Sequence, residues 1–536
     1  MKNKIVITFI FGLTLAGSCL AQGLFPKKND AVSKLNYAVQ AIENLYVDTI
    51  NQNKLVEDAI ISLLEKLDPH SEYMTAKETK EMNEPLQGNF EGIGIQFNMM
   101  KDTLFVVQTI AGGPSERVGI MAGDRIVAVN DSIIAGVNMN NTDIMKRLRG
   151  KKGTTVYVTV LRRGVNNLID FKIIRDKIPI YSLDASYMID NKQKVGYIKL
   201  NRFASTTHDE FLKAFKELQA QGMKSLILDL QGNGGGYMNA ATDLANEFLK
   251  ENQLIVYTEG MNQKRQTMSA TGKGVFEKGN LVVLVDEGSA SSSEIVTGAL
   301  QDWDRAVVVG RRTFGKGLVQ RPIPFSDGSM MKLTTARYYT PVGRCIQKPY
   351  DEGKKQYRED ISNRYEHGEF SNADSIRFAD SLKYNTKVSG RIVYGGGGIM
   401  PDCFVPIDTT RYSVFHRNLV AKGVLNRYII SHFEKNRDDL KQRYTNFDAF
   451  NKGFAVTDEM MQELLKAAED DKVKFDEEQY NRSKSTIELQ IKALVAQNLF
   501  GQNEYYRVIN SLNATLNKAV EIIGNNKEYE KLLSGK

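Results

Sequence analysis

The alternation of apolar and polar residues divides the first third of the chain into two kinds of segment. Apolar residues recur at helical spacing in Ala31–Val47 and Lys54–Leu67, which predicts two amphipathic helices forming a small cap. Pro69 ends this pattern, because proline lacks the backbone N–H that a helix needs. Short β-strands separated by glycine are then predicted at Gly92–Phe97, Thr103–Thr109, Asp124–Val129, Thr155–Leu161 and Leu168–Ile174.

Strands and helices alternate in the middle of the chain. The predicted strands are Val195–Leu200, Ser225–Leu230, Leu281–Val285 and Ala306–Gly310. The predicted helices are Thr207–Gln221, Tyr237–Leu249 and Ser291–Trp303. This alternation is typical of a layered α/β core. The polar stretch Lys348–Ser389 is interpreted as a surface insertion, and nearly every segment from Arg411 onward is predicted to be amphipathic helix.

The length and these changes of pattern predict several domains. At 536 residues the chain exceeds one hydrophobic core, since domains average about 100–200 residues. The predicted parts are a signal peptide (1–21), an N-terminal helical cap (22–84), a β-rich domain (85–176), an α/β core (177–410, with an insertion at 348–389) and a helical C-terminal region (411–536). The C-terminal region is expected either to pack on the core or to join subunits of a homo-oligomer, and none of its residues suggests chemistry.

The N-terminus has the features of an export signal. Lysines in Met1–Lys4 precede the apolar run Ile5–Ala16, and small residues follow at Gly17–Ala21. The apolar run is shorter than the about 20 residues that span a bilayer. We therefore expect an exported, periplasmic protein that is released by cleavage after Ala21. Lipid attachment at Cys19, with membrane association through the N-terminus, is the less favoured alternative because the usual leucine three residues earlier is missing.

Composition and charge argue against several other classes of protein. The 71 basic and 64 acidic residues leave a net charge of +7, too dilute to indicate nucleic-acid binding. The five histidines are scattered and no Cys/His spacing resembles a zinc site, so neither a metal nor a cofactor is expected. If Cys19 is removed or lipidated, Cys345 and Cys403 remain either as a disulfide or as two free thiols.

Three pieces of the β-rich segment, in their order and spacing, resemble a PDZ domain. They are Phe90–Ile95, Ala111–Ser115 and Ala122–Asn130. In such a domain, backbone N–H groups of a glycine-containing loop hold a peptide's terminal carboxylate while the peptide adds as a strand. The loop would consist of Glu91, Gly92, Ile93 and Gly94. A small β-barrel without this activity is the alternative.

Three further motifs suggest nucleophilic catalysis. Asp286–Ile295 is a serine-rich run between an apolar strand and a helix, where a side chain can stand exposed at the helix N-terminus, although serines there also act as caps. Lys316 lies between Gly315 and Gly317, an unusual setting for a surface charge. To act as a base it needs its pKa lowered by about 3 units, or about 4 kcal/mol, which predicts an apolar pocket. Leu226–Gly236 ends in glycines whose amides can stabilise an oxyanion.

In combination these motifs resemble the C-terminal processing (tail-specific) peptidases of the serine–lysine class, over about Leu55 to Pro406. The resemblance implies a crotonase- or Clp-protease-like layered α/β core with an inserted PDZ domain. It implies a serine endopeptidase that cleaves proteins or peptides with apolar C-terminal tails. The residues carried over are the catalytic Ser291, Lys316 and Gln320, the oxyanion donors Gly234, Gly235 and Ser292, and the supporting Glu294, Asp302 and Thr313.

Two departures from the family pattern bear on this interpretation. Ser292 stands where alanine is frequent, so three adjacent hydroxyls compete as nucleophile, and Gln231 replaces a frequent arginine behind the glycine turn. A PDZ domain inserted between cap and core also suggests the hypothesis that it blocks the site until a tail binds.

Two other functions compete. An ATPase phosphate-binding loop fits the spacing of Gly310–Lys316 but fails at Gly317, where a Ser or Thr should bind Mg²⁺. A non-catalytic PDZ scaffold or chaperone would be expected to have lost Ser291 or Lys316, and the sequence has both.

Overall fold

A computed structural model of the protein describes residues 31–100 and 102–535. The predicted signal peptide, with Cys19, lies outside these residues. The N-terminal elements are α1 (Ala31–Leu45), α2 (Gln52–Leu64), β1 (Glu72–Met74) and α3 (Ala76–Gln87). Both predicted cap helices are present. α1 buries none of its residues and α2 buries only Leu64, so most of their apolar face remains exposed.

The β-rich domain folds around one antiparallel sheet. Its elements are β2 (Asn89–Gly92), β3 (Ile95–Met100), β4 (Thr103–Thr109), α4 (Pro114–Arg117), β5 (Arg125–Val129), β6 (Ser132–Ile133), α5 (Asn141–Leu148), β7 (Thr155–Leu161), β8 (Ile169–Ile174) and β9 (Asp176–Pro179). The sheet order is β3-β4-β5-β7-β8, with β6 beside β5. β2 pairs with β9 antiparallel, so the chain enters and leaves the domain side by side. This leaves β3 at an edge, where a further strand can add.

The α/β core is built on a six-stranded sheet in the order β10-β11-β12-β15-β16-β21. The strands are β10 (Leu183–Asp190), β11 (Val195–Leu200), β12 (Ser225–Asp229), β15 (Leu281–Val285), β16 (Val307–Gly310) and β21 (Cys403–Phe404). From β11 onward all neighbours are parallel. Every residue of β15 and β16 is buried, as expected for parallel strands covered on both faces.

Helices cover both faces of this sheet. One face packs against α6 (Thr207–Ala220), α7 (Met238–Asn246) and α8 (Ser292–Asp302). The other face packs against α16 (Ala514–Gly524) and α17 (Asn526–Ser534), which supply Leu516, Ile522 and Tyr529. The end of the helical C-terminal region therefore packs on the core and completes its hydrophobic interior. The predicted mixed α/β layered fold is confirmed.

A second, antiparallel sheet lies beside the core and contains strands that the sequence pattern did not predict. Its order is β1-β18-β13-β14, with β17 paired to β18. The strands are β13 (Leu254–Gly260), β14 (Gln263–Ser269), β17 (Leu318–Pro324) and β18 (Met330–Tyr339). Because β18 pairs with both β1 and β17, it joins the N-terminal region to the segment that follows Lys316.

The stretch interpreted as a surface insertion is more deeply integrated than predicted. It contains α9 (Lys354–Glu366) and β19 (Lys383–Asn385), and β19 pairs with β20 (Ile392–Tyr394), which lies just beyond it. Tyr357 and Arg364 of α9 are buried. The prediction was incomplete because a strongly polar sequence conceals two long side chains that anchor the helix.

The remaining C-terminal helices form a separate hydrophobic core. They are α10 (Val414–Ala421), α11 (Val424–Arg443), α12 (Phe447–Gly453), α13 (Asp458–Asp470), α14 (Glu477–Phe500) and α15 (Gln502–Ile509). α11 also contacts the β-rich domain. Arg437 donates a hydrogen bond to the carbonyl of Ala122, and Arg163 donates one to the carbonyl of Glu434. The C-terminal region thus touches both the core and the β-rich domain.

Cys345 and Cys403 are both free thiols, the second of the two alternatives. Within residues 31–100 and 102–535, no helix combines the length and apolarity needed to span a bilayer. Over the same residues, no group of three or more His, Cys, Asp or Glu side chains is arranged to hold a metal ion.

Candidate active site

The candidate site lies at the carboxyl ends of three neighbouring parallel strands. Residues 230–237 follow β12, residues 286–291 follow β15, and residues 311–317 follow β16. Since β12, β15 and β16 are adjacent in the sheet, the loops after them meet at one edge. Ligands of open α/β sheets bind at this edge. The topology therefore brings together the three sequence motifs, which are far apart along the chain.

Ser291 occupies a strained backbone conformation at the start of α8. Its φ of 55° and ψ of −112° are rare for a residue with a side chain and cost about 1–3 kcal/mol. Ser291 is partly exposed, whereas Ser292 and Ser293 are buried and donate their hydroxyls to the carbonyls of Gly236 and Asn233. Among the three adjacent hydroxyls, the geometry favours Ser291 as the one that reaches a ligand.

The glycine turn after β12 packs directly against Ser291. A Cβ atom at Gly235, where φ is +99°, would lie 2.8 Å from Ser291 Cβ and 3.0 Å from the Ser292 nitrogen. Only glycine permits this approach. The Gly235 amide, predicted as an oxyanion donor, already donates to Asn233 Oδ1 at 2.9 Å. Within the described residues the amides of Gly234 and Ser292 have no acceptor, so these two are the available donors.

Lys316 has the electrostatic setting that a lysine base requires. Although the residue as a whole is partly exposed, burial of its amine, helped by the charge of Lys332, lowers its pKa from 10.5 to about 8. In the described part of the chain, no carboxylate forms an ion pair with this amine. Glu72, Glu294 and Asp68 act only at longer range in favour of its charge. The amine therefore loses its proton far more readily than an ordinary lysine.

The glycines on either side of Lys316 allow the backbone to pass close to its neighbours. A Cβ atom at Gly317 would lie 2.8 Å from the Gln347 nitrogen, and one at Gly315 would lie 3.0 Å from the Gly398 nitrogen. Side chains at these two positions would push the lysine loop outward. The close approach inferred from the sequence is confirmed.

Glu294 holds the serine and lysine loops together. Its carboxylate accepts hydrogen bonds from the backbone amides of Ser291 (2.8 Å), Lys316 (2.9 Å) and Gly315 (2.7 Å), and from the Thr313 hydroxyl (2.5 Å). The side chain is fully buried, and burial raises its pKa although these hydrogen bonds lower it. The predicted supporting residues Glu294 and Thr313 are thus in direct contact with the site.

Tyr338 is a site residue that the sequence analysis did not identify. Its hydroxyl lies 3.2 Å from the carbonyl oxygen of Ser291 and 2.6 Å from that of Lys316. The side chain is buried, and burial raises the pKa of its hydroxyl well above 10.0. It therefore remains a neutral donor between the two loops. This role is identified only by the position of Tyr338 on β18, a strand that the sequence pattern did not predict.

Two other predicted residues lie differently from expectation. Gln320 donates its side-chain amide to the Thr334 hydroxyl at 3.2 Å and forms no hydrogen bond with Lys316 within the described residues. Asp302, at the far end of α8, accepts from Arg344 at 2.5 Å and from the Val342 amide at 3.0 Å, both acid and base being fully buried. Asp302 consequently stabilises the end of the helix opposite Ser291, without contact to the serine.

The glycine turn is supported from behind at Gln231, the position that departs from the family pattern. Its side-chain oxygen accepts from Asn513 Nδ2 at 2.9 Å, and its carbonyl accepts from Lys199 Nζ at 3.1 Å. Asn513 precedes α16 in the C-terminal region. A residue of the helical tail thus takes part in holding the turn.

The insertion packs against the loop that carries Lys316. Arg364 of α9 donates to the carbonyls of Arg312 at 2.7 Å and Thr313 at 3.0 Å. The hydroxyl oxygen of Tyr357, on the same helix, lies 2.8 Å from His70 Nε2. Burial and the charge of Lys316 lower the pKa of His70 to about 3, so this imidazole is neutral at physiological pH.

The predicted peptide-binding loop of the β-rich domain has unpaired donors. The amides of Ile93 and Gly94 meet no acceptor among the described residues, whereas the Ile93 carbonyl accepts from both the amide and the hydroxyl of Ser115. Glu91 and Gly92 pair with Lys177 and Asp176 in the short β2–β9 ladder. The loop is therefore anchored at its carbonyl side and free at its N–H side, the arrangement that holds a carboxylate.

Replacing Glu294 with glutamine tests its role in joining the two loops. Each carboxylate oxygen of Glu294 accepts from at least one backbone amide. Whichever oxygen the glutamine NH₂ group replaces, at least one backbone N–H therefore loses its acceptor. We expect the free energy of unfolding to fall by about 2–3 kcal/mol, measured by urea denaturation, and peptide cleavage to fall at least about tenfold.

Glu78→Gln is the matched control, because Glu78 also accepts from the amide that precedes its helix, at an exposed site that tolerates glutamine. Equal, near-zero effects of the two substitutions would show that Glu294 does not have this role.

Family models match four segments of the chain. "Peptidase family S41" matches residues 194–354 and "PDZ domain" matches residues 92–173. "Activating protease CtpB N-terminal domain" matches residues 21–79, and a family of unknown function matches residues 415–501. The S41 match includes the glycine turn, Ser291, Lys316 and Gln320.

Similar curated proteins align with more than half of this chain. The carboxy-terminal processing protease CtpB of Bacillus subtilis is 34% identical over 60% of this chain and 67% of its own. A carboxy-terminal-processing protease of Bartonella bacilliformis is 34% identical over 64% and 80%, respectively. A solved structure titled photosystem II D1 C-terminal processing protease is 31% identical over 57% of this chain and 82% of its own, with a TM-score of 0.33. The sequence matches show that this chain belongs to the S41 family of carboxy-terminal processing serine proteases, with a PDZ domain.

Proposed function

We propose that the protein is an exported endopeptidase in which Ser291 is the nucleophile and Lys316 the general base. The observation that supports this most strongly is the buried amine of Lys316, which has no carboxylate partner among the described residues. Its loop is joined to the serine loop through Glu294 and Tyr338. A neutral amine and a hydroxyl form a sufficient nucleophile and base pair without histidine. The scaffold alternative requires none of this arrangement and is not favoured.

In the first step of the proposed reaction, the Ser291 oxygen attacks the carbonyl carbon of the scissile bond. Its proton passes to the neutral Lys316 amine, which becomes an ammonium. The carbonyl oxygen takes the negative charge and accepts hydrogen bonds from the amides of Gly234 and Ser292. Each such donor is worth about 3–4 kcal/mol in the transition state. The N-terminus of α8, which begins beside Ser291, adds a favourable dipole.

In the second step the carbon–nitrogen bond breaks and the Lys316 ammonium returns the proton to the departing amine. An acyl-enzyme on Ser291 remains. The lysine, neutral again, takes a proton from water, whose oxygen attacks the ester carbon. The bond from this carbon to the Ser291 oxygen then breaks, the Lys316 ammonium returns the proton to that oxygen, and the new carboxyl terminus is released. In this scheme Gln320 orients the lysine ammonium, and Glu294, Thr313 and Tyr338 hold the two loops at a fixed distance.

The PDZ domain is proposed to bind the C-terminus of an extended or unfolded protein with an apolar tail. The free amides of Ile93 and Gly94 would hold the terminal carboxylate, and the tail would pair with the exposed edge of β3. This explains why the chain would act on tails and not on folded proteins.

Export is proposed from the charge and apolar pattern of residues 1–21. Recovery of a chain beginning at Gln22 from the periplasm is the expected result of N-terminal sequencing. A full-length cytoplasmic product would contradict this proposal.

Substitutions of the two proposed catalytic residues test the chemistry. Ser291→Ala and Lys316→Arg are each expected to lower kcat by about 10³-fold or more, since arginine stays charged and cannot accept a proton. In the wild-type protein, kcat/KM should rise about tenfold per pH unit up to about pH 8, the pKa of Lys316, and then level off.

Full activity of Ser291→Ala would transfer the nucleophile to another hydroxyl. A wild-type rate that falls between pH 7 and 9 would exclude a neutral lysine as base.

Matched peptides test the role of the terminal carboxylate. Two fluorogenic peptides with the same apolar tail differ only in a free or an amidated C-terminus. We expect amidation to raise KM about tenfold, because the amides of Ile93 and Gly94 lose a charged acceptor. Equal KM values for the two peptides would show that the carboxylate is not recognised.

A further inference from the structure

Gln320 faces Thr334 across two paired strands. The two residues are direct partners in the β17–β18 ladder, and the Gln320 side-chain nitrogen donates to Thr334 Oγ1 at 3.2 Å. The register shifts between Val319 and Gln320, because Val319 pairs with Ala336 and Thr335 is the extra residue on β18. Such a bulge turns the next side chain in a new direction and is common beside active sites.

The hydroxyl of Thr334 has only one proton, and that proton is used elsewhere. Thr334 Oγ1 donates to Asp68 Oδ1 at 3.0 Å. Burial alone would raise the pKa of Asp68, but hydrogen bonds from Ser71, His70 and Thr334 outweigh it and lower the pKa, so the carboxylate accepts and does not donate. Thr334 Oγ1 can therefore only accept from Gln320.

These two hydrogen bonds at Thr334 Oγ1 fix the direction of the Gln320 amide. The NH₂ group must face Thr334, which leaves the carbonyl oxygen Oε1 on the other side of the amide. If the amide were reversed, the Gln320 oxygen would face Thr334 Oγ1, and neither atom would have a proton to share. The NH₂ group would then point to the other side, where it would repel a cation. A primary amide has two nearly isosteric orientations, and its hydrogen-bond partners decide between them.

We infer that Asp68 and Thr334 are positioning residues that set the amide of Gln320 so that its oxygen is available to the Lys316 ammonium formed during the reaction. The inference rests on the proposed serine–lysine mechanism and extends it to the N-terminal region. The turn at Asp68 belongs to the helical cap, yet it is fixed to β18 by a second contact. The Thr334 amide donates to the Ser71 hydroxyl at 3.0 Å, and β1 continues the pairing from Glu72.

Thr334→Val removes the hydroxyl and keeps the shape of the side chain. Asp68 keeps its backbone donors, while the Gln320 amide becomes free to reverse. We expect kcat on a fluorogenic peptide to fall about tenfold with KM within about twofold. Thr334→Ser restores the hydroxyl and is expected to stay within about twofold of wild type in both constants. Thr334→Ala serves as a second variant that adds no bulk, and melting curves establish that each variant is folded.

A double-mutant cycle with Gln320→Ala separates positioning from a general loss of structure. The measured quantity is the second-order rate at which a fluorophosphonate probe labels Ser291, which remains measurable for slow variants. If Thr334 acts through Gln320, Thr334→Val slows labelling about tenfold in the wild-type background and less than about twofold in Gln320→Ala. Equal slowing in both backgrounds, or no slowing in either, overturns the inference, as does a Thr334→Ser variant as slow as Thr334→Val.

Failure of the inference is distinguishable from failure of the underlying mechanism. Labelling that persists in Ser291→Ala, or that is unchanged in Lys316→Arg, contradicts the serine–lysine mechanism itself. Labelling that depends on both residues but not on Thr334 contradicts only the role of Asp68 and Thr334.

Discussion

The site depends on the amine of Lys316, which is buried and has no carboxylate partner in the part of the chain that the structure describes. A buried lysine usually keeps its charge by pairing with a carboxylate. Here the adjacent buried carboxylate, Glu294, has both oxygens occupied by three backbone amides and a hydroxyl. It therefore fixes the backbones of Ser291 and Lys316 without forming an ion pair with the lysine side chain. The same hydrogen bonds that hold the loops together keep the amine unpaired.

The surrounding fold maintains this arrangement from several directions. Loops from three neighbouring parallel strands meet at one edge, and α8 begins at Ser291. Tyr338 and Thr334 come from the second sheet, Arg364 from the integrated insertion and Asn513 from the C-terminal region. These segments are distant in sequence, and each contributes at least one contact. The site thus depends on the whole core, including the C-terminal helices that share a hydrophobic interior with the central sheet.

Local patterns were sufficient to predict the central elements. The strand Leu281–Val285 is present as predicted because five consecutive apolar residues between turn residues match a buried strand. The three motifs proposed to be catalytic could be recognised because serine, lysine and glycine stand where ordinary packing does not explain them. The contacts of Tyr338, Asp68 and Asn513 were not predictable. They join segments that lie from about twenty to nearly three hundred residues apart in the sequence. The hydrogen bond that occupies the Gly235 amide depends on the orientation of the Asn233 side chain.

The most direct test of the account is the pKa of Lys316 in the full-length protein. NMR titration of lysine side-chain signals in Ser291→Ala with a bound peptide would measure it, and the signal of Lys316 is identified by its absence when Lys316→Arg is added. We predict a pKa of about 8. A value near that of an ordinary exposed lysine, about 10.4, would contradict the proposed mechanism.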